Sequence, residues 1–147
     1  MNGAAIAKAL SVVGLTVFAD QVTKAIAIAS LERGDEVNVF LGLDMTYVRN
    51  EGVAFGALSG GGTLLVTAIA LALLGLVVYF VTNSDVPFLW LPVGLILGGA
   101  LGNLADRARD GAVVDFIDPI AWPAFNLADA AIVVGVLGLV YVVEVKR

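Results

Sequence analysis

Four apolar segments, each long enough to cross a bilayer as a helix, dominate this chain of 147 residues. A hydrocarbon core of roughly 30 Å takes about 20 helical residues. The runs lie at about 4–29, 63–81, 87–104 and 125–145. With 60% hydrophobic and 14% charged residues, the composition departs from the roughly 45–50% apolar and about 25% charged of a soluble domain and places the chain in a membrane. We read residues 1–147 as a single membrane domain. Lys8 followed by an apolar run to Phe18 resembles the start of a signal peptide. The run continues through Ala29 without a clear cleavage site, so it reads as a retained first span.

The third run has its own signals. Ser84 and Asp85 offer a helix cap, Pro87 a first-turn proline, and Pro92 a bend or a later start. Gly94, Gly98 and Gly102 recur every fourth residue and predict a smooth stripe for a close neighbouring helix. The long connections are about 30–62 and 105–124. In the first, "VNVFLGLDMTYV" alternates and is broken by Gly42, which predicts a small β-hairpin. The second has a turn at Asp110-Gly111, a short strand "AVVDFI", a second turn at Asp118-Pro119 and an interfacial aromatic at Trp122. Lys8, Lys146 and Arg147 favour cytoplasmic termini, but Arg33, Arg49, Arg107 and Arg109 lie in the long connections, so charge counting hardly decides orientation.

The chain has no cysteine and no histidine. Disulfides, thiol nucleophiles, Ser-His dyads and His-ligated metals are thereby excluded, and a net charge of −5 argues against a nucleic-acid partner. The chemistry left belongs to carboxylates, lysine, hydroxyls and backbone groups. With four spans, the end of the first (Asp20, Lys24), the approach to the second (Arg49, Asn50, Glu51), the end of the third (Asn103, Asp106, Arg107), the strand residue Asp115 and the start of the fourth (Asn126, Asp129) all reach one membrane face. The other half of the bundle is almost without polar features.

Several of these residues have plain structural readings. Asp20 and Lys24, four apart, suit a local ion pair with the lysine snorkelling to the interface. Asn103, Asp106 and Arg107 share a helical face by spacing and could either tie the bundle end together or bind a peptide backbone. Asn126 reads as an N-cap, and Asp129 gains from the helix dipole. Asp115, between Val114 and Phe116, has no turn to serve. An ionisable group at a membrane face is by default a functional one. Two carboxylates with neither histidine nor cysteine suggest a pair sharing one proton, one member taking a proton from water and the other donating to a scissile carbonyl. That is aspartic proteolysis.

Five blocks then resemble a known family: "DQVTK" at 20–24, "RNEGVAFG" at 49–56, "GNLADR" at 102–107, "VVDFI" at 113–117 and "FNLADAAI" at 125–132. In order along four spans, they are similar to signal peptidase II, the bacterial lipoprotein signal peptidases. The resemblance implies an all-α integral membrane fold of four transmembrane helices, with a small extracytoplasmic β-cradle and a short extracytoplasmic helix near Gly52–Leu58. It implies that Asp115 and Asp129 are catalytic. Asn50, Asn103, Arg107 and Asn126 would line the site, and Asp20, Lys24, Gly52 and Asp106 would support it. The substrates implied are prolipoproteins, cut just before a diacylglyceryl-modified cysteine, with no metal or cofactor. Membrane lipid and cyclic peptide inhibitors of the globomycin type are expected partners, and a monomer is the expected state. The location implied is the bacterial cytoplasmic membrane, termini cytoplasmic and active site at the outer face. Val53 departs from the family pattern, where a small residue is expected.

Rival readings make different demands. A proton-coupled carrier wants its carboxylates near the bilayer midplane. A Ser-Lys protease built on Lys24 wants a serine in reach, yet Ser30 falls on another helical face. A catalytically dead packing module remains a third possibility.

Overall fold

The computed structural model describes residues 1–52 and 61–145. Helix α1 covers Gly3–Ser30, strands β1 and β2 Glu36–Phe40 and Leu43–Asn50, helix α2 Gly61–Thr82, helix α3 Trp90–Asp110, strand β3 Val113–Pro119 and helix α4 Leu127–Val145. The short helix expected near Gly52–Leu58 and the departure at Val53 lie outside the described residues.

Helix α1 begins where Asn2 accepts a hydrogen bond from the Ala5 N–H with its side chain at 3.2 Å. It runs unbroken to a cap at Leu31. The third helix differs from its sequence expectation at both ends. Pro87 sits in a turn, and the helix opens at Trp90, so Pro92 falls in its first turn, where proline's missing N–H costs little. Ser84 and Asp85 do not cap it: Leu89 holds the cap position without a side-chain bond, and Ser84 Oγ instead accepts the Asn2 N–H at 2.9 Å. That contact ties the α2–α3 turn to the start of α1. At its far end α3 continues past residue 104 to Asp110 and stops at Gly111, whose φ of 72° suits a glycine and whose N–H reaches the Arg107 carbonyl at 3.0 Å.

Helix α3 packs between α1 and α4, while α2 touches it only lightly. Glycines permit both close approaches. Toward α1, an added Cβ on Gly94 would lie 2.7 Å from Val12 Cβ, and one on Gly98 2.6 Å from Thr16 Cβ. Toward α4, a Cβ on Gly99 would run into the Ala128 carbonyl oxygen, and one on Gly135 would lie 2.9 Å from the Pro92 carbonyl oxygen. The stripe of small residues is thus a packing seam, as the spacing predicts. A cluster of Ala5, Ala9, Phe80, Leu89 and Val93 fills the end of the bundle away from the sheet.

Much of the described helical surface is apolar and outward-facing. Leu10, Leu15, Phe18, Leu71, Leu74, Leu137 and Tyr141 are all exposed. Helices α1 and α4 are each long and apolar enough to cross a bilayer. An apolar surface this extensive needs lipid around it rather than water.

The three strands form one antiparallel sheet in the order β1-β2-β3. The hairpin turns at Leu41-Gly42, where Gly42 has φ 81°. Strand β3 then pairs with β2, Val48 opposite Asp115 and Asn50 opposite Val113. Asn50 therefore lies diagonal to Asp115 on the same face of the sheet.

Candidate active site

The ends of α1 and α3, the start of α4 and the strands β2 and β3 meet at one end of the bundle. Asp115 stands in the middle of β3 and is 2% exposed. Asn50 Nδ2 donates to its Oδ2 at 3.0 Å, and Asn126 Nδ2 to its Oδ1 at 2.7 Å. The side chain that sequence left without a structural task is thus held from two elements. Burial pushes the Asp115 carboxyl above the usual carboxylate range. The two amides and the Lys24 charge pull it back, and the neighbouring Asp129 charge adds to the rise.

Asp129 is half-buried in the first turn of α4. Asn126 precedes that helix and caps it, its Oδ1 accepting the Asp129 N–H at 2.9 Å. The same side chain reaches Asp115 with its other end, so the cap and the site contact coexist. Asn103 Nδ2 donates to Asp129 Oδ1 at 2.7 Å.

Below this pair lies a charged cluster. Lys24 Nζ donates to Asp20 Oδ2 at 2.8 Å and Asn103 Oδ1 at 2.9 Å, and pairs with Asp106 Oδ2 at 2.7 Å. Three acceptors match the three donors of an ammonium. Lys24 is 2% exposed, so the expected snorkelling toward the interface is corrected. Two carboxylates and an amide in reach make the buried position better for the ammonium than the surface. Asp20 also accepts the Ala128 N–H at 3.0 Å, which ties α1 to the start of α4. Among the described residues, no buried side-chain nitrogen or oxygen lacks a hydrogen-bond partner. No group of three or more acidic side chains among them is arranged to hold a metal ion.

The structure thus brings Asp20, Lys24, Asn50, Asn103, Asp106, Asp115, Asn126 and Asp129 into one hydrogen-bonded assembly. Gly52 joins through its N–H, which Asn50 Oδ1 accepts at 2.9 Å, and its φ of 71° suits a glycine. Arg107 lies at the edge of this assembly: Asn103 and Asp106 turn inward, whereas Arg107, one turn on from Asn103, is exposed and its Nη1 donates to the Asn103 carbonyl oxygen at 3.5 Å. A one-residue step around the helix from Asp106 carries it to the outer side.

Two participants escaped sequence reasoning. Gln21 Nε2 donates to Asp106 Oδ1 at 2.9 Å and Asp20 Oδ2 at 3.2 Å, and Arg109 pairs with Asp106 at 3.3 Å. Arg109 carried a signal in its i,i+3 spacing from Asp106. Gln21 carried only its place beside Asp20.

This fold is that of a class of bacterial membrane enzymes. One such enzyme, solved by the in meso method at 1.9 Å, superposes with a TM-score of 0.86 at 34% identity, covering 97% of this chain and 95% of that one. A second, at 2.3 Å, gives 0.82 at 35% identity over 96% and 89%. The family described as signal peptidase (SPase) II matches residues 12–144. The lipoprotein signal peptidase of Syntrophomonas wolfei is 46% identical over 122 residues, 82% of each chain. That of Pelotomaculum thermopropionicum is 43% identical over 126 residues, 84% of this chain and 83% of its own. The chain belongs to the signal peptidase II family, a family of proteases.

Proposed function

We propose that the protein is a membrane-embedded aspartic endopeptidase that removes the signal peptide from diacylglyceryl-modified prolipoproteins, cutting before the lipidated cysteine. The observation that carries this reading is the pair itself: a buried Asp115 and a more open Asp129, joined through Asn126 and gripped by amide donors. Burial raises the Asp115 carboxyl above the usual carboxylate range, which suits it to donate to the carbonyl oxygen of the scissile amide. Asp129, in the first turn of α4 and more open than Asp115, is the member suited to draw a proton from water. Water adds to the carbonyl carbon, the amide C–N bond breaks, and the leaving nitrogen takes a proton back from the pair. Asn50, Asn103 and Asn126 hold the carboxylates, and the exposed Arg107 is free of that task and positions the substrate backbone.

In this reading residues 1–147 form one domain with four spans. The sheet lies outside the cytoplasmic membrane and the termini inside. Outward-facing leucines and valines meet lipid, and apolar walls rather than hydrogen bonds accept the substrate's acyl chains. The enzyme works as a monomer and binds cyclic peptides of the globomycin type. The gathering of the acids at one end of the bundle, with the sheet beside them, favours this over a carrier with acids at mid-membrane.

Mass spectrometry of the product tests the assignment. Purified enzyme is expected to release a fragment beginning at the lipidated cysteine, and to leave the unlipidated precursor essentially uncut. Equal cleavage of both precursors contradicts the proposed substrate.

The pH profile offers a signed test. The Asn50 amide favours the ionised form of Asp115, so Asn50→Ala raises Asp115 further. The proton needed for catalysis then persists to higher pH, and the alkaline limb of kcat is expected to move upward. A limb that stays put or moves to lower pH assigns that proton elsewhere.

A further inference from the structure

Each asparagine around the carboxylates has its amide oxygen held by a group that can only donate. The Lys24 ammonium holds Asn103 Oδ1, the Asp129 N–H holds Asn126 Oδ1, and the Gly52 N–H holds Asn50 Oδ1, each at 2.9 Å. Neither an ammonium nor a peptide N–H can accept. An amide pinned by its oxygen must present its NH2 group the other way. All three NH2 groups accordingly face the acidic pair, at 2.7 Å from Asp129 and at 2.7 and 3.0 Å from Asp115. Two of these pins are backbone groups beside the site. The third is a side chain from α1 that touches neither Asp115 nor Asp129.

We infer that Lys24 is a positioning residue: its ammonium fixes which way the Asn103 amide faces, and through that amide it holds Asp129 in the orientation that activates water. The inference rests on the reading of Asp115 and Asp129 as the catalytic pair. Without a donor at position 24, the Asn103 amide is free to turn its oxygen toward Asp129. Two acceptors would then meet, and Asp129 would swing away from the orientation in which it acts as a base. A second path runs through the backbone. Lys24 holds Asp20 Oδ2, and Asp20 Oδ1 takes the N–H of Ala128, the residue before Asp129.

The competing account is that Lys24 only neutralises Asp20 and Asp106, since a buried carboxylate stripped of its partner is strongly destabilising. A matched pair of full-length variants separates the two. Both carry Asp20→Asn and Asp106→Asn, so no uncompensated charge is buried. One adds Lys24→Gln, which keeps a donor for Asn103, and the other Lys24→Met, which does not. With diacylglyceryl-modified prolipoprotein as substrate, kcat of the Lys24→Gln variant is expected to exceed that of the Lys24→Met variant by about tenfold, the scale of one lost hydrogen bond. KM and unfolding temperature are expected to be nearly equal in the two. Equal kcat values overturn the inference. Asn103→Leu, which leaves Lys24 both of its carboxylate partners, provides a check that does not depend on the neutralised background. It is expected to lower kcat at least as far as the Lys24→Met change does, and wild-type kcat in Asn103→Leu also overturns the inference. If Asp115→Asn and Asp129→Asn themselves turn over normally, the pair has been misassigned. If those two are inactive while the matched variants are equal, only the role of Lys24 fails.

Discussion

Asp115→Asn and Asp129→Asn are each expected to lower kcat by about 10³-fold or more, toward the upper end of what one acid–base group supplies, with the fold retained. The carboxamide fills the same space, but it carries no acidic proton at position 115 and no basic oxygen of the needed strength at position 129. The local geometry adds to the loss. Asp115 accepts from an NH2 group at each of its oxygens, so an amide there sets one donor against another. Asp129 accepts Asn103 Nδ2 on one oxygen and lies 3.4 Å from the Asn126 N–H on the other. An amide there meets the same conflict. Circular dichroism and unfolding temperature of the two variants are expected to stay close to wild type, because the ion pairs of the buried Lys24 are with Asp20 and Asp106 and survive both changes.

Gly99→Val is expected to have the largest effect on stability. Its side chain would run into the Ala128 carbonyl and would also meet Ile132, where a Cβ alone comes within 2.8 Å of Cγ1. A backbone oxygen cannot move aside as a side chain can, so α4 must shift bodily and carry Asp129 with it. Overpacking of this kind costs about 1–3 kcal/mol or more, and activity is expected to fall with the unfolding temperature. Gly14→Ala supplies the contrast. It lies in mid-helix with nothing near its added Cβ, so it gains helix propensity of roughly 0.5–1 kcal/mol and is expected to hold or raise the unfolding temperature. If both variants unfold at the wild-type temperature, the α3–α4 seam is looser than described.

The contrast between these glycines also shows what sequence carries and what it does not. Apolar run length marked all four helices, because helix length and hydropathy are local properties. The four-residue spacing of Gly94, Gly98 and Gly102 announced the α1–α3 seam, but Gly99, one step around the helix, and Gly135 on α4 belong to a second seam that no repeat reveals. Topology alone drew the polar residues to one end. It could not say that β3 would join the hairpin and set Asn50 diagonal to Asp115, since that pairing links residues 65 positions apart. Lys24 was misread for the same reason. From neighbours in sequence it has one partner, Asp20, and an escape to the interface. The contacts that bury it come from Asp106 and Asn103, the latter 79 residues away. The start of α3 was misplaced because Ser84, a good cap by type, is engaged by the Asn2 N–H at the other end of the chain.

If Asp115 and Asp129 act as one unit on water, a double-mutant comparison of cleavage rates will show it. Wild type, Asp115→Asn, Asp129→Asn and the double variant would be assayed on the same lipid-modified prolipoprotein, with enough sensitivity to follow each residual rate. Residues that act together give strongly non-additive losses. The double variant is therefore expected to be about as slow as either single one. Substantial turnover by either single variant, or losses that multiply in the double, would contradict the account.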